Sequence, residues 1–166
     1  MEKLWSPWRS QYIDTIKEKN PGSTCFLCDA NNQDPFNMNN FLICMGEATF
    51  TIMNLYPYNN GHLMVVPKRH LSNFIELSPE ENSEIMKELQ KAQSALTEVL
   101  NPEGFNIGAN LGKVSGAGVD DHIHFHIVPR WNGDTNFMPV LGEVKIISQD
   151  LLITKEKLLV AYSRLK

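Results

Sequence analysis

The chain has 166 residues, 42% hydrophobic and 20% charged, which suits one globular domain large enough to bury a core. Its net charge of −4 argues against a nucleic acid polymer as partner, which wants a basic stripe, but leaves room for a small nucleotide held by a local cluster of donors. No apolar run approaches the length of about 18 residues that a membrane span needs, no signal-peptide core opens the chain, and three cysteines make no secreted framework, so a reducing cytoplasm is expected and a membrane is not.

Residues 1–24 read as an N-terminal arm whose Trp5, Trp8 and Tyr12 can cover their own domain or a partner, ended by the turn signal Pro21-Gly22-Ser23. Cys25 and Cys28 can aim two thiols at one metal centre. Two reduced, metal-free cysteines are the plain alternative, and no βαβ pattern surrounds them to favour a redox pair. Asn31 to Asn40 reads as a loop, and Phe41–Cys44 and Ala48–Met53 as strands joined near Gly46-Glu47, with Cys44 a small core residue. Asn54 ends the second strand, Tyr56 to Gly61 is a turn, and His62 to Pro67 is a strand followed by solvent-facing Lys68 and Arg69.

Ser78-Pro79-Glu80-Glu81 has the form of a helix start, with Ser at the N-cap, Pro first and Glu third. Ile85, Leu89, Ala92, Leu96, Val99 and Leu100 keep helical spacing up to Asn101-Pro102, and Glu84, Lys87, Glu88 and Lys91 read as the exposed face. Phe105 to Asn110 is the next strand. Leu111 to Gly118 holds three glycines with Lys113 and Ser115, which suits either a flexible connection or a backbone cradle for phosphate. Trp131 to Pro139 reads as a polar loop, Val144 to Ile147 as a short strand, and Thr154 as the cap of a C-terminal helix carrying Leu158, Leu159, Tyr162 and Leu165.

The most informative stretch is Asp121 to Arg130, where His122, His124 and His126 alternate with Ile123, Phe125 and Ile127. A period of two predicts a strand with three imidazoles on one face and apolar residues on the other. Such a row can be a solvated sheet face, a three-imidazole zinc site, or a nucleophilic centre, since neutral imidazole attacks near pH 7 without a strong base.

His122-Ile123-His124-Phe125-His126 followed by Ile127-Val128 resembles the active-site motif of the histidine-triad (HIT) family. The resemblance extends over most of residues 25–130, through Cys25-Phe26-Leu27-Cys28, the stretch Asn54 to His70 with Gly61-His62, and Gly104 to Asn110. Trp5-Ser6-Pro7-Trp8-Arg9 and Pro129-Arg130-Trp131-Asn132-Gly133-Asp134 are similar to the microbial branch related to diadenosine tetraphosphate phosphorylases. Where the better-known hydrolases of the family carry Gly-Gln-Ser or Gly-Gln-Thr before the triad, this chain has Gly118-Val119-Asp120.

The resemblance implies an α+β fold: an antiparallel sheet of about five strands with a long helix and a C-terminal helix, in a single domain over 1–166 (arm 1–24, core 25–140, C-terminal strand and helix 141–166). It implies His124 as nucleophile, His126 on phosphate or bridging oxygens, and His62 in support. Asn54 would meet ribose hydroxyls, Asn110, Ser115 and Gly116 phosphates, and Trp131 a base or polyphosphate tail. Zinc would sit on Cys25, Cys28, His70 and His122, as in zinc-bearing relatives and galactose-1-phosphate uridylyltransferase, with no organic cofactor. Uridylyltransferases carry Gln where this chain has His126, which disfavours sugar-nucleotide transfer. The implied substrate is a dinucleoside polyphosphate, with water or inorganic phosphate as acceptor, and the implied assembly is a homodimer. Hydrolysis of dinucleoside polyphosphates or nucleoside phosphoramidates, and nucleotide sensing without turnover, are the competing readings.

Overall fold

The computed structural model describes residues 25–115, 119–135, 147 and 149–165. The expected N-terminal arm, Gly116 and most of the expected strand at 144–147 lie outside them. The first element among the described residues is a short helix α1 (Phe26–Ala30), which no spacing in the sequence announces, followed by strands β1 (Leu42–Met45), β2 (Thr49–Met53) and β3 (Leu63–Pro67). The long helix α2 (Pro79–Leu100) leads to β4 (Gly104–Ala109), β5 (Phe125–Arg130) and helix α3 (Leu151–Arg164). The five strands form one sheet in the order β1-β2-β3-β5-β4. Every pairing in it is antiparallel.

Alternation along the strands divides the core between the two faces of the sheet. Leu63, Val65 and Ile127 turn toward α2 and α3, where they meet Ile85, Leu96 and Leu158. Met64 and Val66 turn the other way and join Phe50, Cys25 and Leu27. Ile127, fully buried in β5 between β3 and β4, is the kind of residue whose truncation to Ala costs about 2–5 kcal/mol. His126 pairs with Met64 across β3 and β5, so the histidines come out on the face away from the two long helices.

The start of α2 matches the sequence reading in detail. The Ser78 side chain accepts from Glu81 N–H, the Glu81 carboxylate accepts from Ser78 N–H, and Pro79 occupies the first turn. The helix ends at Asn101, whose φ of 46° places it in the left-handed conformation that stops a helix. Among the described residues no helix is long and apolar enough to cross a membrane.

Three features depart from expectation. Glu84 and Glu88 do not lie on an exposed face: Glu84 accepts hydrogen bonds from Ala48 N, Thr49 N and Thr49 Oγ1, tying α2 to the β1–β2 turn, and Glu88 is buried beside Lys91. Thr154 is not the cap of α3. Asp150 is, accepting from Leu152 N and Ile153 N, while Thr154 lies buried within the helix. Arg69 is half exposed but not idle, since it forms a bidentate pair with Glu81, and Lys68 reaches the carbonyl of Gly46.

Candidate active site

The triad does not ride on one continuous strand. β5 begins only at Phe125, leaving His122 and His124 ahead of it. The reason lies in its neighbours. The β3–β5 ladder stops at the Val65–Phe125 pair and the β4–β5 ladder at the Ala109–Phe125 pair. Further along β3 stands Pro67, which has no N–H to extend the ladder. Its free carbonyl instead accepts from His122 Nε2–H at 2.9 Å, and Ile123 N–H turns to the Leu71 carbonyl at 2.7 Å. The row of three rings is therefore split between two sites.

His122 belongs to the first. With its Nε2–H spent on Pro67, its Nδ1 lone pair faces Cys25 Sγ at 3.3 Å and Cys28 Sγ at 3.6 Å. His70 Nδ1 lies 3.3 Å from Cys28 Sγ. The four ligand atoms lie within 4.8 Å of one another. In a tetrahedral zinc site with Zn–S near 2.3 Å and Zn–N near 2.05 Å, sulfur and nitrogen stand about 3.5 Å apart, so the donor set and its spacing fit such an ion. Burial pushes the bare Cys25 thiol up to about 11, which makes it a poor redox nucleophile, whereas a divalent cation would deprotonate it outright. The three triad histidines do not converge on one point, as a three-imidazole zinc site would require, because His122 is turned to the cysteines.

His124, His126 and His62 form the second site. His124 is 6% exposed, and its Nδ1–H donates to the His122 carbonyl at 2.9 Å, leaving the Nε2 lone pair as its reactive position. Burial holds His124 below the ordinary imidazole range, so it is neutral at pH 7. The His126 ring stands edge-on to it with centroids 4.8 Å apart. His62 enters just before β3, after Gly61, whose φ of 71° suits glycine. A Cβ at Gly61 would run into Leu96 and Leu100 of α2, so only glycine lets the chain pass this close to the helix. His62 Nε2 meets His126 Nδ1 at 2.9 Å, and Tyr58, unremarked in the sequence, covers both rings at centroid distances of 4.7 and 5.6 Å.

The remaining expected residues fall at varying distances from this centre. Asn54 is beside His62, with Nδ2 at 3.4 Å from Nδ1, although its side-chain oxygen accepts from Tyr56 N–H. Asn110 follows Ala109, the partner of Phe125, and so stands at the His124 end of the sheet. Ser115 is exposed and donates its hydroxyl hydrogen to the Gly112 carbonyl. Trp131 is anchored at the end of α2, its indole N–H donating to Asn101 O at 3.3 Å.

A neutral imidazole with one nitrogen fixed by a carbonyl and the other open, flanked by further imidazoles on a five-stranded antiparallel sheet, defines a class of histidine-centred α+β proteins. The chain belongs to the histidine-triad family, and the HIT domain profile matches residues 36–133. It is 36% identical over 167 residues to the AP-4-A phosphorylase of Mycobacterium tuberculosis, an alignment covering 99% of this chain and 86% of the relative. It is 34% identical to a bis(5'-adenosyl)-triphosphatase of Dictyostelium discoideum over 51% of this chain and 56% of that relative. Among solved structures it resembles a Zn-bound histidine triad family protein from Mycobacterium smegmatis, with a TM-score of 0.67, 27% identity, and coverage of 86% of this chain and 95% of that one.

Proposed function

We propose that the chain is a nucleotidyl transferase acting on dinucleoside polyphosphates, in the phosphorylase mode: diadenosine tetraphosphate and inorganic phosphate give ADP and ATP. The observation that carries this reading is the ring of His124, neutral, with Nδ1–H held by the His122 carbonyl and Nε2 left to attack. The relative named for this activity, aligned along 99% of the chain, supports the choice of reaction.

In the first step His124 Nε2 attacks an α-phosphorus. A phosphorus–nitrogen bond forms, the bond to the bridging oxygen breaks, and ATP leaves. In the second, an oxygen of inorganic phosphate attacks the same phosphorus, the phosphorus–nitrogen bond breaks, and ADP leaves with the His124 lone pair restored. His126 holds phosphate oxygens and His62 holds His126. Asn54 is assigned to ribose, Asn110, Ser115 and Gly116 to phosphates, and Trp131 to the base or polyphosphate tail. Zinc on Cys25, Cys28, His70 and His122 is assigned a structural part, a cross-link outside the bond-making steps. The chain is taken as a single domain and a cytoplasmic homodimer. β4, the last strand of the sheet among the described residues, with Ile107 52% exposed, supports pairing through that side. Sedimentation equilibrium giving a monomer at micromolar concentration would remove the dimer from this reading.

Hydrolysis, with water taking the place of phosphate, is the second reading, favoured by the triphosphatase relative. One product analysis separates the two. Diadenosine tetraphosphate is incubated with and without inorganic phosphate, beside His124→Ala. ADP and ATP formed only with phosphate are expected, and none from His124→Ala. AMP and ATP formed without phosphate would replace the phosphorylase by a hydrolase. Binding without turnover in either condition would replace both by a sensing module.

A further inference from the structure

The turn that carries His62 is fastened from outside by a buried carboxylate with no place in the reaction above. The Asp134 side chain is only 8% exposed. It accepts Arg130 Nε and a terminal Arg130 nitrogen at 2.6 and 2.8 Å, Trp131 N–H at 3.1 Å, and Asn59 Nδ2 at 2.9 Å. The same Asn59 amide reaches the carbonyl of Pro129 at 3.2 Å, so one side chain ties the turn at 54–62 to the end of the histidine strand. The anchor residue and the one before it face His62. The Asn59 carbonyl accepts His62 N–H, and Tyr58 N–H lies 3.0 Å from His62 Nδ1.

A backbone N–H can only donate. Tyr58 therefore requires a lone pair on His62 Nδ1, which puts the proton of neutral His62 on Nε2. That N–H donates to His126 Nδ1, 2.9 Å away, so neutral His126 in turn carries its proton on Nε2. Each link follows from the one before, and the first depends on where the turn holds Tyr58.

We infer that Asp134 is a positioning residue for the histidine site: through Asn59 it fixes the turn whose Tyr58 N–H sets the tautomers of His62 and His126. This rests on the reading of His124 and His126 as the reacting pair only for its effect on rate, since the tautomers are a property of the free protein. Arg130 adds a second tie, because its remaining terminal nitrogen donates to Asn106 Oδ1 on β4 at 2.6 Å and thereby holds Asp134 in register with the sheet.

The test is long-range proton–nitrogen correlation spectroscopy of the histidine rings in the full chain, together with turnover of diadenosine tetraphosphate. The unaltered protein should show His62 and His126 both protonated on Nε2. Asp134→Asn keeps the shape but replaces one acceptor oxygen by an NH2, which must face either Arg130 or the Asn59 amide as a second donor and so loosens the anchor. It should mix the two tautomers at both rings and lower kcat about tenfold with KM within about twofold, as expected when alignment is lost rather than binding. Asn59→Ala should do the same, and should serve alone if Asp134→Asn does not fold. The double variant should be no worse than either single one. A proton on Nδ1 of either ring in the unaltered protein overturns the proposal. So do ring spectra and kcat unchanged in Asp134→Asn, or effects of the two substitutions that simply add. If the unaltered protein turns over no dinucleoside polyphosphate, the substrate reading fails, and the ring spectra still decide this one.

Discussion

A carbonyl can only accept and a backbone N–H can only donate, and those constraints decide which nitrogen each site histidine offers. Pro67 O turns the His122 lone pair to the cysteines, His122 O turns the His124 lone pair away from the backbone, and Tyr58 N–H turns the His62 proton toward His126. Ionic groups at single residues matter for stability in the same explicit way. The Arg69 hydrogen bonds to Glu81 hold that carboxyl below its ordinary range. A folded-state value below the unfolded one, near 4.3, contributes stability above that pH, and the contribution fades as pH falls through the folded value. Glu81→Gln should therefore weaken the protein at neutral pH yet flatten its loss of stability below about pH 4.3. Urea midpoints measured across acid pH test this, and parallel curves for the two proteins would refute it.

Between elements, the bonds that matter join residues far apart in sequence. Lys155 of α3 is fully buried, and its ammonium donates to Asn37 O, Asn40 O and Asn40 Oδ1, holding the loop before β1 onto the helix. Lys155→Met keeps the aliphatic stem but strands those acceptors, a loss of about 1–3 kcal/mol that urea denaturation would register. A more stable variant would mean that the buried charge costs more than its bonds return. This separation also explains what could be read in advance. The capping box of α2 was legible because Ser78, Pro79 and Glu81 are adjacent, and the strands were legible from alternation. Helical spacing puts Glu84 and Glu88 on an exposed face because it carries no trace of the β1–β2 turn that packs against them. The alternation of the triad spells one strand because the period is local, while Pro67, which ends the ladder, lies 55 residues away from His122. The Asn59–Asp134 bond, across 75 residues, left no sequence pattern at all.

At the scale of the molecule, the cysteine–histidine cluster joins α1, the segment after β3 and the segment before β5, with Cys25 and His122 97 residues apart. A metal ion there would close that loop and restrict the unfolded chain, so zinc should raise stability more than any single surface contact. Metal analysis should find about one zinc per chain, and Cys28→Ser should lower both zinc content and Tm while turnover per folded chain persists. Zinc retained by Cys28→Ser, but lost with His124→Ala, would instead place the ion at the triad.

The strand order carries a consequence for the growing chain. β5 lies between β3 and β4 yet is made after both, so during synthesis the sheet stops at β3. Among the described residues β4 joins the sheet through β5 and has no pairing of its own with β3. Until residue 130 emerges, β3 presents a bare strand edge to whatever else is in the cell, the kind of surface that aggregates or recruits chaperones. The segment that brings the histidines thus also closes the sheet, and a ribosome stalling ahead of it would release a chain that is both inert and sticky.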